Sequence, residues 1–310
     1  MELRRPHPTS DLGEVLALLR ACDQAVYGES DWTEQELSEE WEGLDLDRDA
    51  WLAIDEGVVA GVMHLSDIEG GKIGADGYVH PERTDRGAGA ALLDAVEVRA
   101  RELEPGIVPG QRVYLETAHL VGDPRAPLLL AGKGYGRVRT FFRLVRSLAA
   151  SEPEPFLAAG LDLRPFDPGP DGPAVHAAIE EAFVREWGHQ PQAYSAWREK
   201  VVGWTRFDPA LIPVIWDGDE VVATSLNYDK RNGDWGWISM LAVRPDWRRR
   251  GLGLALLHES FRRFAARGET TVALGVDREN PSGATRLYER AGMRELWRAD
   301  VWQKELRAGD

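Results

Sequence analysis

The chain carries one long motif twice, and this repeat limits the folds open to it. Val79-His80-Pro81 precedes Arg86-Gly87-Ala88-Gly89-Ala90-Ala91-Leu92-Leu93. At the same spacing, Val243-Arg244-Pro245 precedes Arg250-Gly251-Leu252-Gly253-Leu254-Ala255-Leu256-Leu257. Further on, Ala131-Gly132-Lys133-Gly134-Tyr135 takes the place of Glu289-Arg290-Ala291-Gly292-Met293. Each copy is long enough to be a domain, and 310 residues exceed one ordinary domain. The expected division is residues 1–150 and 151–310, joined by the short, polar, proline-bearing segment 149–155.

Each copy reads in the same coarse order. A first strand (1–5; 161–166) leads to a helical region (12–27; 174–187) and a second one (33–41; 193–202). A hairpin follows (50–65; 212–228), then a central strand, a glycine turn, a helix, another strand, a helix and a closing strand (139–148; 298–306). Strands alternating with helices predict an α/β fold.

The glycine turn of the second copy is the most chemical stretch. Arg248-Arg249-Arg250-Gly251-Leu252-Gly253 follows the strand-like run 237–243 and opens the helix-like run 254–264. Outward-pointing N–H groups and the positive end of a helix dipole make such a turn a phosphate cradle. Gly251 and Gly253 allow close approach of the backbone, and the arginines can add charge-assisted hydrogen bonds. No Gly-Lys-Ser/Thr follows, so it is not a lysine-bearing P-loop. Leu256 stands where a dinucleotide fingerprint needs its third glycine. By itself the segment is also compatible with an ordinary strand–turn–helix bearing a solvated basic turn.

The following residues decide between these readings. After the strand-like run 271–276 come Asp277, Asn280, Ala284 and Leu287-Tyr288-Glu289-Arg290-Ala291-Gly292-Met293. This order resembles the GNAT superfamily of acyl-CoA-dependent N-acetyltransferases, tightly over residues 237–293 and loosely outside. Arg248-x-x-Gly251-x-Gly253 matches the family's pyrophosphate motif, and Asn280, Ala284, Leu287-Tyr288 and Ala291-Gly292 match its second motif. The resemblance implies two tandem GNAT-like domains, each a mixed, mostly antiparallel central sheet flanked by helices. It implies acetyl-CoA as co-substrate and the primary amine of a small molecule as acceptor. Leu241, Ala242 and Val243 would face the pantetheine arm on a splayed strand. Arg248, Arg249, Arg250, Gly251, Leu252 and Gly253 would hold the pyrophosphate. Asn280 would anchor the pantetheine side, although Asn-Pro-Ser before a helical run is also a helix cap.

An amine must be neutral to attack a thioester, so transfer needs a proton acceptor, oxyanion stabilisation and a proton for the departing thiolate. Tyr288 is the expected donor, the alternative being core packing with a wet hydroxyl. For the base the sequence offers Asp277, which also reads as a cap, and Glu186 or His189 in the helical region over the acceptor pocket. A water chain would serve as well. Trp187, Tyr194, Trp197, Trp204 and Phe207 give the acceptor side an aromatic character, although core packing explains most tryptophans.

The tandem layout, the length, and Ala182-Phe183 with Phe207-Asp208-Pro209 resemble the mycothiol synthase family. Trp237 stands where that family places an acidic base, and Glu186-Trp187-Gly188-His189 lacks its His-Pro-Glu pattern. A different acceptor is therefore expected.

The copies differ in chemistry. The first turn, Thr84-Asp85-Arg86-Gly87-Ala88-Gly89, keeps its glycines but gains an acid, and Leu130 stands in the place of Tyr288. A degenerate first domain and a catalytic second one are expected, with Glu116 as the basis of a competing site in the first. The net charge of −15 argues against a nucleic-acid partner. Ten acids and only Arg48 lie between Glu29 and Asp49, either a solvated helix face or an attraction for a cationic substrate. The absence of a long apolar run or an apolar N-terminus argues against membrane insertion and secretion. A single cysteine, Cys22, leaves no internal disulfide or cysteine metal site, and no metal is expected. A cytoplasmic enzyme is the simplest expectation, and a non-catalytic acyl-CoA-binding or regulatory protein of the same fold is the alternative.

Overall fold

A computed structural model describes the chain except residues 29, 31, 205–206, 229–234 and 281. Glu29, Asp31 and Pro281, which fall in segments named above, thus lie outside the described residues. The first half runs β1 (Glu2–Arg4), α1 (Leu12–Tyr27), α2 (Glu34–Glu42), α3 (Leu46–Asp49), β2 (Ala50–Asp55), β3 (Val58–Glu69), β4 (Lys72–Val79), α4 (Ala88–Leu103), β5 (Val113–Leu120), α5 (Arg125–Gly132) and β6 (Gly136–Ser147). The second runs β7 (Leu161–Pro165), α6 (Gly172–Phe183), α7 (Tyr194–Val202), β8 (Pro213–Asp217), β9 (Glu220–Tyr228), β10 (Gly236–Val243), α8 (Leu252–Ala266), β11 (Thr271–Asp277), α9 (Ala284–Arg290) and β12 (Arg294–Arg307). The expected order is present in both copies. The helix expected to run to residue 187 ends at Phe183, and α3 was not foreseen.

The chain packs as two compact units, and their boundaries differ from a cut at residue 150. One unit is Met1–Thr140 with Ala299–Asp310; the other is Phe141–Arg298. Backbone pairing is the reason. In the first unit, Ala299–Arg307 of β12 lies antiparallel to β5. In the second, Phe141–Ser147 of β6 lies antiparallel to β11. The closing strand of each half therefore completes the sheet of the other half's unit. Residues 149–155 lie within the second unit, where Glu152 is buried and accepts a 2.8 Å bond from Arg146 and another from the Ala149 N–H.

Both sheets have the same design. The first unit orders its strands β1-β2-β3-β4-β5-β12, and the second β7-β8-β9-β10-β11-β6. All described pairings within the units are antiparallel except β4 with β5 and β10 with β11. Alternation along the strands feeds two apolar layers per sheet. In the first unit, Met63, Leu65, Ile73 and Ala75 pack on Leu92, Leu93 and Val96 of α4. The opposite face, Leu52, Val59 and Val62, packs on Val15, Leu18 and Leu19 of α1 and Leu37 and Trp41 of α2. In the second unit α8 covers one face through Leu257, Phe261 and Phe264. Helices α6 and α7 cover the other through Val175, Ile179, Trp197 and Val201. Among the described residues no helix is long and apolar enough to cross a membrane.

The duplication extends to single contacts. A Cβ on Gly89 would stand 3.1 Å from Leu129, and one on Gly253 would stand 2.8 Å from Leu287. Each glycine lets the helix after its turn approach the later short helix. Beyond those helices, the N–H of Tyr135 donates to the carbonyl of Leu130, and that of Met293 to Tyr288, both at 3.0 Å. These bonds confirm that Leu130 occupies the place of Tyr288.

Candidate active site

Two parallel strands that part create the cleft of the second unit. β10 pairs with β11 only through Gly236–Val272, Trp237–Ala273 and Ile238–Leu274. β10 continues to Val243 beside β9, with its register interrupted between Ile238 and Met240. Beyond Ile238 alternate backbone groups of β10 therefore face the gap rather than β11. The resulting cleft encloses about 330 Å³. Leu241 and Val243 line it, whereas the Ala242 side chain turns into the core beneath α6 and α7. The first unit parts in the same way, since β4 pairs with β5 only through Lys72–Tyr114, Ile73–Leu115 and Gly74–Glu116.

The glycine turn closes one end of the cleft. The chain leaves β10 through a single 3₁₀ turn at Pro245–Trp247, and Arg249 and Gly251 both take positive φ, 62° and 85°. Gly251, the capping residue of α8, has no side chain to accept from the first N–H groups of that helix. Arg248, Arg249, Gly251, Leu252 and Gly253 all line the cleft. The three arginines have different tasks. Arg248 donates to the carbonyls of Ala182 at 2.7 Å and Val243 at 3.2 Å, tying the end of α6 to the end of β10. Arg250 lies over the Trp247 ring at 4.6 Å, outside the lining. Arg249 and Arg250 are exposed.

Glu186, Asn280 and Tyr288 line the same cleft. Tyr288 is 8% exposed and lines the cleft. Burial raises its phenol pKa well above the ordinary range, and the charge of Glu186 adds to the effect, so the hydroxyl keeps its proton. Glu186 follows α6 in a turn and lines the same cleft. The Asn280 amide donates to its Oε2 at 2.8 Å. Burial raises the Glu186 pKa, Asp277 raises it further, and Arg248 and His189 oppose the rise. Asn280 is thus a bridge rather than the cap itself. Its Oδ1 accepts from the backbone of Ser282 at 2.8 Å, and Gly283 is the capping residue of α9. Asp277 is the turn former, accepting from the Glu279 N–H at 2.9 Å, and does not line the cleft. His189 turns to Glu180 at 3.2 Å.

Most of the expected acceptor aromatics pack in the core. Trp197 is 4% exposed, Tyr194 stacks on it at 6.0 Å, and Phe207 meets Phe166 edge-on at 6.1 Å. The aromatics besides Tyr288 that line the cleft are Phe183 and Trp247. Trp247 was not singled out in the sequence; its signal is the three-residue spacing to Arg250 in the turn.

The equivalent turn of the first unit is electrically occupied. Arg83 and Arg86 both bond to Asp55, at 3.0 and 2.9 Å. Arg125 binds Asp123 at 2.8 Å and reaches Thr84 and Asp85. Glu116 accepts from Gln303 of β12 at 2.7 Å.

Known proteins resemble this chain in sequence and in fold. The model of the acetyltransferase (GNAT) family matches residues 12–119 and 173–293. A mycothiol acetyltransferase of Geodermatophilus obscurus is 32% identical over 90% of this chain and 89% of its own length. One from Thermobispora bispora is 34% identical over 81% of each chain. A GCN5-related N-acetyltransferase of Sphaerobacter thermophilus superposes with a TM-score of 0.90 at 32% identity, covering 100% of this chain and 96% of that one. A tandem GNAT protein from the clavulanic acid biosynthesis pathway, at 17% identity, shares the fold with a TM-score of 0.71 over 100% and 99%.

Proposed function

The chain belongs to the GNAT acetyltransferase family, and from that membership we propose that its second unit moves an acetyl group from acetyl-CoA to the primary amine of a small molecule. That it is an acetyl-CoA-dependent N-acetyltransferase follows from the family and its relatives; the unit, the acceptor class and the residue roles are the proposal. The observation that carries it is that Glu186 and Tyr288 face the same cleft as the turn before α8.

The turn suits a pyrophosphate, with backbone N–H groups at a helix start, no Cβ at Gly251 or Gly253, and Arg249 and Arg250 exposed beside them. The parted edge of β10 suits the amides of a pantetheine arm, with the oxyanion contact at the backbone near Leu241. Glu186 takes the proton of the acceptor ammonium, and Asn280 fixes the carboxylate through one oxygen. The neutral amine attacks the thioester carbonyl. As the carbon–sulfur bond breaks, Tyr288 gives its phenolic proton to the departing sulfur. As the amide forms, the nitrogen gives its remaining surplus proton to the Tyr288 phenolate, and the proton on Glu186 passes to solvent, so one proton is released per turnover. Residues 1–140 with 299–310 have Leu130 in the place of that donor, and we assign them a binding or supporting role.

The acceptor is proposed to differ from that of the mycothiol synthase family. Trp237 stands in the place of its acidic base and packs against Arg143 at 4.5 Å. Release of free thiol from acetyl-CoA across a panel of small primary amines tests the function. Amine-dependent release is expected for at least one of them. Binding of acetyl-CoA with no release for any amine would favour an acyl-CoA-binding protein without turnover.

A further inference from the structure

A second cavity, of about 340 Å³, lies in the first unit on the face that α2 covers. Glu40 of α2, His64 and Ser66 of β3, and Asp76 and Tyr78 of β4 line it. Its polar groups come from three separate elements. His64 and Asp76 are direct cross-strand partners. His64 is only 7% exposed, and its Nε2 lies 3.4 Å from Glu40 Oε1. Burial pushes the Glu40 carboxyl up to about 7, with Asp76 adding to the shift, and burial holds the His64 imidazole below its ordinary value.

The fold does not require this polar set. The repeat aligns Val79 with Val243, each paired to its neighbouring strand at Gly61 and Ala223. Three residues earlier, the His64–Asp76 pair of the first unit corresponds to Leu226–Met240 in the second. Leu226 is 1% exposed, and both side chains pack beneath α6 and α7. One copy thus fills the place with hydrocarbon, and the other keeps it open and polar.

We propose that this cavity is a binding site for a small primary ammonium compound, separate from the acceptor site proposed in the second unit. The chemistry of the lining selects that class. Among the described residues the cavity has no Lys or Arg in its wall, so the fixed charge it presents is that of its carboxylates. Its size exceeds that of a bare metal ion, and among the described residues no three His, Cys, Asp or Glu side chains are placed to hold one. Glu40 and Asp76 offer carboxylates to a cation, and His64 in its neutral form offers an imidazole nitrogen. Leu44 and the Tyr78 ring give an organic ligand apolar surface. The site binds without turnover, because Leu130 replaces the proton donor in this unit.

Two-dimensional NMR of the full chain tests the proposal, following the His64 imidazole signal assigned from His64→Gln. The probes are ethanolamine, 1,4-diaminobutane and glucosamine, with ethylene glycol and glucose as neutral controls. Saturable movement of the His64 signal is expected with at least one amine and with neither control. Glu40→Gln and Asp76→Asn should each weaken that response by about tenfold or more, as expected for loss of a charge-assisted contact. Glu186→Gln should leave it unchanged, whatever the outcome of the acetyl-transfer assay. An unmoved His64 signal with all three amines would overturn the proposal, as would equal movement by the neutral controls. The titration of the unsubstituted chain decides the matter even where a variant fails to fold.

Discussion

At the scale of single residues, Glu186 and Tyr288 are two groups that burial shifts in the same direction and to opposite purpose. A phenol held protonated can donate; a carboxyl with a raised pKa accepts a proton only above that raised value. The sign of the pH dependence follows. The rate should rise with pH as Glu186 ionises, and this acid limb should lie above the ordinary glutamate range of about 4.3. Glu186→Gln should remove the limb and lower kcat by roughly 100-fold. A pH–rate profile checks this, and an unchanged acid limb in the variant would assign the proton to another group. The sequence placed Glu186 among several candidates and could not choose. What singles it out is the bond from Asn280, 94 positions away, and such a contact has no local signature. The same distance effect hid the fate of Arg248. Its motif position is legible, but its bond to the Ala182 carbonyl is not.

At the scale of elements, the turn before α8 divides its labour. Arg248 holds α6 to β10, whereas Arg249 and Arg250 stay exposed beside the helix start. Arg248→Ala should lower stability by about 1–2 kcal/mol, read from thermal or urea unfolding. Arg249→Ala and Arg250→Ala should leave the unfolding midpoint in place. They should weaken acetyl-CoA binding by roughly 1–3 kcal/mol for each lost charge-assisted contact, read by calorimetry. The opposite pattern would make Arg248 the phosphate ligand. The strands, helices and turn of both copies were legible because apolar periodicity and glycine placement are local. The short α3 was not, since its four residues, Leu46-Asp47-Arg48-Asp49, carry no apolar period and leave no residue buried.

At the scale of the whole molecule, the repeat predicted two domains, but strand pairing assigns the closing strands crosswise. Sequence similarity between copies shows what each strand looks like and not which sheet it completes, so this exchange was not legible. Without residues 299–310, β5 loses its antiparallel partner, and the first core loses Trp302. Residues 1–150 expressed alone should therefore show no cooperative thermal transition, whereas the full chain should; a cooperative melt of that fragment would contradict the exchange. Catalysis by the second unit is the proposal. Its most direct test is the initial rate of acetyl-CoA thiol release, with an amine the enzyme accepts, for Tyr288→Phe beside Glu116→Gln. Tyr288→Phe should lower kcat by roughly 100- to 10,000-fold with acetyl-CoA affinity little changed, and Glu116→Gln should stay near the unsubstituted rate. A damaging Glu116→Gln with a fully active Tyr288→Phe would move the chemistry to the first unit.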